Sequence, residues 1–185
     1  MPWRSHTKPL HFIFAGSLSH RKAIDIILAA FTLIKQSGLH YQLSFVGGEG
    51  EPGWIKQIEK TPNARYIPGI PQNVLYGLIG EADCLLLPSR FDSFGMVVAE
   101  AMACGTPVIV STQTGAKAIL EKFPGAGWIV DPDVQSLYRC VKARIDDRAS
   151  IFSARAYALQ AANHFTWAAY RERVGSYLEN WMTKE

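Results

Sequence analysis

The sequence predicts an α/β domain built on a doubly wound parallel sheet, and three observations predict it. Short apolar runs of strand length alternate with longer segments whose apolar residues recur at helical spacing. Glycine or proline punctuates the joins between them. The strand-length runs are continuously apolar rather than alternating, the pattern expected of strands covered by helices on both faces.

Taken in order, residues 10–15 (Leu-His-Phe-Ile-Phe-Ala) read as the first strand. Residues 23–36 carry Ile24, Ile27, Phe31 and Ile34 on one face and read as a helix ended by Gly38. A strand over 41–46, a short helix over 54–60, a strand over 64–67 and a helix over 72–80 follow. The strongest strand is 83–88 (Asp-Cys-Leu-Leu-Leu-Pro), leading to a helix over about 95–103. Another strand covers 106–111, a turn covers 112–115, and 127–130 is a last short strand. Beyond Asp133 the pattern is helical through Trp181, giving C-terminal helices over 133–183. About six strands wound this way make a Rossmann-like sheet.

The 185 residues, 48% hydrophobic and 11% aromatic, fit one domain over 1–185. A chain of this length buries roughly 70% of its unfolded surface, so it needs neither staples nor metal to hold a core. The composition excludes disorder and collagen. A net charge of +3 from 19 Lys and Arg against 16 Asp and Glu is too small and scattered for nucleic-acid binding, though a local basic patch for an anionic ligand fits it. Cys84, Cys104 and Cys140 are odd in number and lack C-x-x-C spacing, so neither a disulfide framework nor a zinc site follows. His6, His11, His20, His40 and His164 show no ligand spacing. The apolar stretch 10–15, preceded by His6, Lys8 and Pro9, is too short for a signal or a spanning helix, and a reducing, cytoplasmic setting is expected.

In open sheets of this kind ligands bind beyond the carboxyl ends of the strands, near helix N-termini that favour anions. That singles out the loops 16–22, 47–53, 68–73, 89–95 and 111–117. Loop 16–22 (Gly-Ser-Leu-Ser-His-Arg-Lys) brings two hydroxyls, an imidazole and two cations to a helix start, which suits a phosphate. It is neither G-x-G-x-x-G nor a Walker loop, so a dinucleotide or P-loop nucleotide is not indicated. The alternative is that Ser19 caps the helix while Arg21 and Lys22 are solvated.

Residues 88–100 (Pro-Ser-Arg-Phe-Asp-Ser-Phe-Gly-Met-Val-Val-Ala-Glu) say more. Asp92 precedes a helix, and Glu100, eight residues on, falls near the same face, so that two carboxylates can address one elongated polar ligand. Gly95 lets backbone amides approach an anion at the helix start. The competing reading makes Asp92 an N-cap and Glu100 a surface residue, against which stands the apolar setting of Glu100 in Val97-Val-Ala-Glu-Ala-Met102.

Phe14-Ala-Gly-Ser-Leu with Arg21-Lys-Ala, Val46-Gly-Gly-Glu-Gly, Tyr66-Ile-Pro-Gly, Ala82-Asp-Cys-Leu-Leu-Leu-Pro-Ser, Asp92-Ser-Phe-Gly and Glu100-Ala-Met-Ala-Cys-Gly-Thr-Pro-Val-Ile resemble, in order over residues 10–131, the donor-binding half of the group 1, retaining GT-B glycosyltransferases. The resemblance implies a nucleoside diphosphate sugar as donor, no metal cofactor, and retaining transfer of a hexosyl group to a sugar, lipid or glycan hydroxyl, as in polysaccharide or lipopolysaccharide biosynthesis. It implies that Lys22, with Arg21, neutralises the diphosphate and that Gly16, Ser17, Ser89 and the backbone of Phe94, Gly95 and Met96 approach the donor. Asp92 stands where the family's first carboxylate, usually Glu, addresses the donor sugar; Glu100 matches the second, which holds the ribose hydroxyls; Pro68 flanks the base.

The chain departs from the family at Ser17, where many relatives have an arginine, at Ala23, where glycine often follows the lysine, at Asp92, one methylene short, and at Ala118, where an acidic residue is common. Only about nine residues precede the first strand, so the resemblance further implies that the N-terminal acceptor domain is absent and is supplied in cis or in trans. The piece alone would then bind donor but transfer poorly, since closing the cleft orients the acceptor and excludes water. In the full-length context the inner face of a membrane is a candidate location. The rival class is a non-catalytic nucleotide-sugar-binding or assembly module.

Asp131-Pro-Asp133 spells a metal-binding D-x-D, but it precedes an apolar helical pattern and is better read as a capping turn. At the C-terminus, Phe165, Trp167, Tyr170, Val174, Tyr177, Leu178 and Trp181 form a stripe at helical spacing, with Arg171 and Arg173 away from it. This stripe is read as core, or as the seam against a sister domain, in which case it is a candidate homodimer surface.

Overall fold

A computed structural model describes residues 8–182, with the side chains of Trp167, Arg173 and Asn180 outside the described set. Six parallel strands, β1 (Leu10–Ala15), β2 (Tyr41–Val46), β3 (Ala64–Ile67), β4 (Cys84–Leu87), β5 (Val108–Ser111) and β6 (Gly127–Val130), form one sheet in the order β3-β2-β1-β4-β5-β6. The helices are α1 (Ile24–Gln36), α2 (Trp54–Lys60), α3 (Gln72–Glu81), α4 (Met96–Ala103), α5 (Lys117–Lys122), α6 (Val134–Asp146), α7 (Arg148–Ala162) and α8 (Trp167–Met182). This is the doubly wound sheet the sequence predicts.

Every residue of β1, β4 and β5 is buried, which is why those runs are apolar without alternation. On the first half of the sheet α1 buries Ile24, Ile27, Phe31 and Ile34, where Phe31 meets Phe12 and Tyr41 edge-on with ring centres 5.2 and 4.8 Å away. Helix α1 packs on α2 and α6, and α4 packs on α3 and α7. The strand order reverses between β1 and β4, which pair at Phe12 with Cys84 and Ile13 with Leu85. That reversal is the switch point at which open sheets of this kind leave a crevice beyond the strand carboxyl ends.

Several boundaries differ from expectation. Ala23 is not the first residue of α1 but a left-handed residue (φ 60°, ψ 38°) between the 3₁₀ turn His20–Lys22 and the helix. Asp83 and Pro88 fall outside β4, and Thr106 and Pro107 outside β5. Helix α5 follows the 112–115 turn without having been anticipated; its six residues carry only Ile119 and Leu120 as buried positions, too few for a periodic signal.

The reading of the C-terminal stripe as core is corrected. Phe165 does pack on Phe123, with ring centres 6.4 Å apart. Tyr170, Val174, Tyr177, Leu178 and Trp181, however, are between 37% and 71% exposed on α8. The side chains of Trp167 and Arg173, like His6 and the last residue of the expected helical segment, lie outside the described residues. No described helix is long and apolar enough to cross a membrane.

Candidate functional site

Two loops meet at the switch point. Loop 16–22 leaves β1, and its backbone is joined to the next loop by Gly16 N–H donating to Val46 O at 2.9 Å and Leu18 N–H donating to Gly48 O at 2.9 Å. The Glu51 carboxylate accepts from the His20 amide at 2.9 Å, bracing the turn that carries Arg21 and Lys22. Ser19 precedes that turn but makes no side-chain cap, so the capping alternative does not hold. Lys22 points inward, and its ammonium is bonded to the Asp92 carboxylate in the β4–α4 loop; their side chains are 15% and 8% exposed.

Asp92 is therefore not a helix cap. The N-cap position of α4 belongs to Gly95, at φ 81° and ψ 59° with no side-chain cap. The left-handed backbone at Gly95 strains any side chain, and a Cβ there would sit 2.8 Å from Leu87 Cδ2, which would have to move. Asp92 is instead held by the β5–α5 loop: its N–H donates to Gln113 O at 3.2 Å, and its carbonyl accepts from Gly115 N–H at 2.9 Å. Gly115 approaches so closely that a Cβ there would lie 2.1 Å from Ser93 O.

Arg90, which the sequence reading passed over, locks the two loops together. Its guanidinium forks onto Asp25 with two contacts of 2.7 Å, its Nη1 donates to His20 O at 2.8 Å, and its amide donates to Arg21 O at 3.0 Å. Burial raises the Asp25 carboxyl, but the Arg90 fork outweighs it and leaves the group below its ordinary value. Arg21 is exposed, with Nη1 donating to Phe91 O at 3.2 Å. The signal available in the sequence was an arginine directly after Pro88-Ser89 with an acidic residue, Asp25, in the first turn of α1; nothing local tied the two together.

Glu100 does not share a partner with Asp92. Its Oε1 accepts from Gln72 Nε2 at 3.2 Å and from Tyr76 OH at 3.3 Å, both on α3. Gln72 opens α3, just past the exposed Pro68, and Tyr76 lies one turn further along it. Burial, and then the charge of Glu100, push the Tyr76 hydroxyl above its ordinary value.

Of the other expected donor contacts, Ser17 is exposed, Gly16 is half-buried, and Phe94 and Met96 are 37% and 58% exposed around the start of α4. Ser89 is fully enclosed, its hydroxyl has no hydrogen-bond partner among the described residues, and its carbonyl accepts from Ser111 Oγ at 2.5 Å.

Asp133 caps α6 through Ser136 N–H at 2.8 Å, and Asp131 accepts from Thr112 Oγ1 at 3.2 Å, the turn expected of Asp131-Pro-Asp133. Among the described residues no group of three or more His, Cys, Asp or Glu is placed to hold a metal ion.

A reversed parallel sheet, with a cationic loop and the N-terminus of an apolar helix converging at the reversal, defines the class of α/β domain that takes its ligand beyond the strand carboxyl ends. The sequence profile of the family described as glycosyl transferases group 1 matches residues 2–165, and the chain belongs to that family. It is 27% identical over 175 residues to D-inositol 3-phosphate glycosyltransferase 1 of Catenulispora acidiphila, covering 88% of this chain and 42% of that protein. It is 28% identical over 170 residues to glycogen synthase of Mycobacterium tuberculosis, covering 89% of this chain and 41% of that one. The structure of Anabaena HepE in complex with UDP-glucose superposes with a TM-score of 0.78 at 21% identity, covering 95% of this chain and 50% of HepE. The chain spans about two-fifths of the length of those two curated relatives.

Proposed function

We propose that this chain is the donor-binding part of a glycosyltransferase: it binds a nucleoside diphosphate sugar in the crevice beyond β1 and β4 and presents the glycosyl group for transfer, with retention, to a hydroxyl of a sugar, lipid or glycan. The observation that carries the reading is the Lys22–Asp92 pair, a cation and a carboxylate held in contact at the mouth of the switch point beside the open N-terminus of α4. An anion at that position gains a cation, helix-end amides and the helix dipole together.

In this reading Lys22 and Arg21 take the charge of the departing diphosphate, the backbone of residues 94–96 lines its path, and Asp92, released from Lys22 as the phosphates arrive, turns to the donor sugar. Glu100 holds the ribose and Pro68 flanks the base. Cations and helix-end amides stabilise the leaving group without requiring a metal. Family membership and the UDP-glucose bound by HepE support a nucleotide sugar as the donor. The acceptor would be held by a part of the relatives' length that these 185 residues do not span, in the same chain or another.

Calorimetric titration with UDP, GDP and ADP, with and without magnesium, on the wild type and on Glu100→Ala tests this. Saturable binding of one nucleotide, weakened in the variant and indifferent to magnesium, is the expected result and identifies the base. Absence of binding by all three sinks the donor reading, and turnover at ordinary enzyme rates by the chain alone sinks the division of labour.

A further inference from the structure

The contacts around Glu100 can be allocated hydrogen by hydrogen. Gln72 Nε2 lies 2.5 Å from Tyr76 OH and 3.2 Å from Glu100 Oε1, and Tyr76 OH lies 3.3 Å from the same oxygen. An amide NH₂ has two hydrogens and a phenol has one. One amide hydrogen goes to the tyrosine oxygen, the other to Oε1, and the tyrosine hydrogen also goes to Oε1. The reverse orientation of the amide would set its carbonyl against the carboxylate, so the direction of the chain is fixed by charge. Both lone pairs of Oε1 are then occupied, and among the described residues no side chain or amide is bonded to Oε2.

We propose that Gln72 and Tyr76 are positioning residues that saturate one oxygen of Glu100 and leave Oε2 as the single carboxylate oxygen offered to the ribose hydroxyls. The proposal rests on the reading of Glu100 as the ribose contact and adds what fixes that carboxylate and how much of it remains for the ligand. Position in the fold supports it. Gln72 is the first residue of α3, directly after the loop that begins at Pro68, so the same backbone that flanks the base aims the carboxylate at the sugar. Tyr76, one helical turn further on, keeps the amide from rotating away. The Tyr76 hydroxyl is raised first by burial and then by the Glu100 charge and hydrogen bond, and that second part agrees with a proton held against a carboxylate. A contact that merely joined α3 to α4 would not distinguish ligands that have ribose hydroxyls from those that lack them.

The test uses that distinction. Wild type, Tyr76→Phe and Gln72→Ala are titrated with whichever of UDP, GDP or ADP binds and with its 2′,3′-dideoxy counterpart, with thermal melts to establish that each variant is folded. Tyr76→Phe is expected to weaken the ribonucleotide by about five- to tenfold and the dideoxy compound by less than about twofold. Gln72→Ala, at an exposed position, should show the same selectivity with a smaller loss. Equal weakening of both ligands, or of neither, in variants that fold overturns the proposal while the donor reading stands. Failure of the wild type to bind any nucleotide overturns both. Independently of ligand, Glu100→Gln should bring the Tyr76 ring titration down toward its ordinary value; an unchanged titration means the contact is not made in solution and overturns the proposal.

Discussion

The two flanks of the crevice are built from different materials. On the β1 and β4 side, charge meets charge: Lys22 on Asp92, Arg90 on Asp25, with the backbone of three loops knitted around them. On the α3 side a lone carboxylate, Glu100, is held by an amide and a phenol, both neutral. Under the proposed function the difference matches what each flank would receive. A flank whose cation is already paired can take up a diphosphate by exchanging one anion for another, so that no bare charge is buried in the empty state. A flank of neutral donors leaves a carboxylate oxygen for hydroxyl groups, which bring no charge of their own.

Breaking the close approach that joins the loops should have the largest effect. Gly115→Ala forces a methyl into the Ser93 carbonyl, and it should cost about 2–4 kcal/mol, lower the melting temperature by about 5–12 °C and weaken nucleotide binding at least tenfold by displacing the Ser93–Phe94 backbone that leads into the N-terminus of α4. Scanning calorimetry and titration read both.

The exchange of anions on the charged flank predicts opposite signs for its two members. Lys22→Ala should weaken a nucleoside diphosphate by more than about tenfold, whereas Asp92→Asn should strengthen it severalfold while destabilising the empty protein by about 1–3 kcal/mol. If both variants weaken binding alike, Asp92 does not compete with the phosphates.

The Arg90 fork gives a smaller effect with a pH signature. Asp25 is held below its ordinary value in the folded protein, so its contribution is present above the unfolded carboxylate range and fades as pH falls through the lower folded value. The pair is partly exposed, and Arg90→Ala should cost only about 1 kcal/mol at neutral pH, with the difference from wild type shrinking below about pH 4. Urea titrations at pH 7 and pH 3 separate the two.

The smallest effect concerns Ala23. Glycine there would relieve a left-handed alanine but lose a fully buried methyl, terms of about 1 kcal/mol each and of opposite sign. Ala23→Gly should therefore leave stability within about 0.5 kcal/mol of wild type.

The fold was legible because its signals are local. Runs such as Cys84-Leu-Leu-Leu and the spacing of Ile24, Ile27, Phe31 and Ile34 fix strand and helix without knowledge of any partner. Of the site, the residues at strand ends and helix starts were legible for the same reason: Lys22, Asp92 and Gly95 stand where an open sheet puts its ligand. What stayed hidden were pairings across the chain. Arg90 and Asp25 are 65 residues apart, and Glu100 lies 24 and 28 residues from Tyr76 and Gln72, so no periodicity connects them. The i, i+4 spacing of Gln72 and Tyr76 was visible, but not that a carboxylate from another helix lay across it. The enclosure of Ser89 was hidden too: it stands at the end of the best strand, and only the packing of Ser111 and Thr114 beneath the loop shows it covered.

The seam between β1 and β4 has a consequence for how the chain becomes competent. The first three strands can pair among themselves, since β1, β2 and β3 are neighbours and follow one another in the sequence. Joining β4 to β1 requires two segments remote in the chain to find each other, and such closures come at an entropic cost that slows folding. Lys22 lies on one side of that seam and Asp92 on the other. The crevice is thus an assembled product of two halves, absent until they dock, and under the proposed function a nucleotide bridging it would act as a clasp. Hydrogen exchange at the amides of residues 84–87 would then slow when the clasp is fastened, while the β2–β3 edge, which the ligand does not span, would keep its own rate.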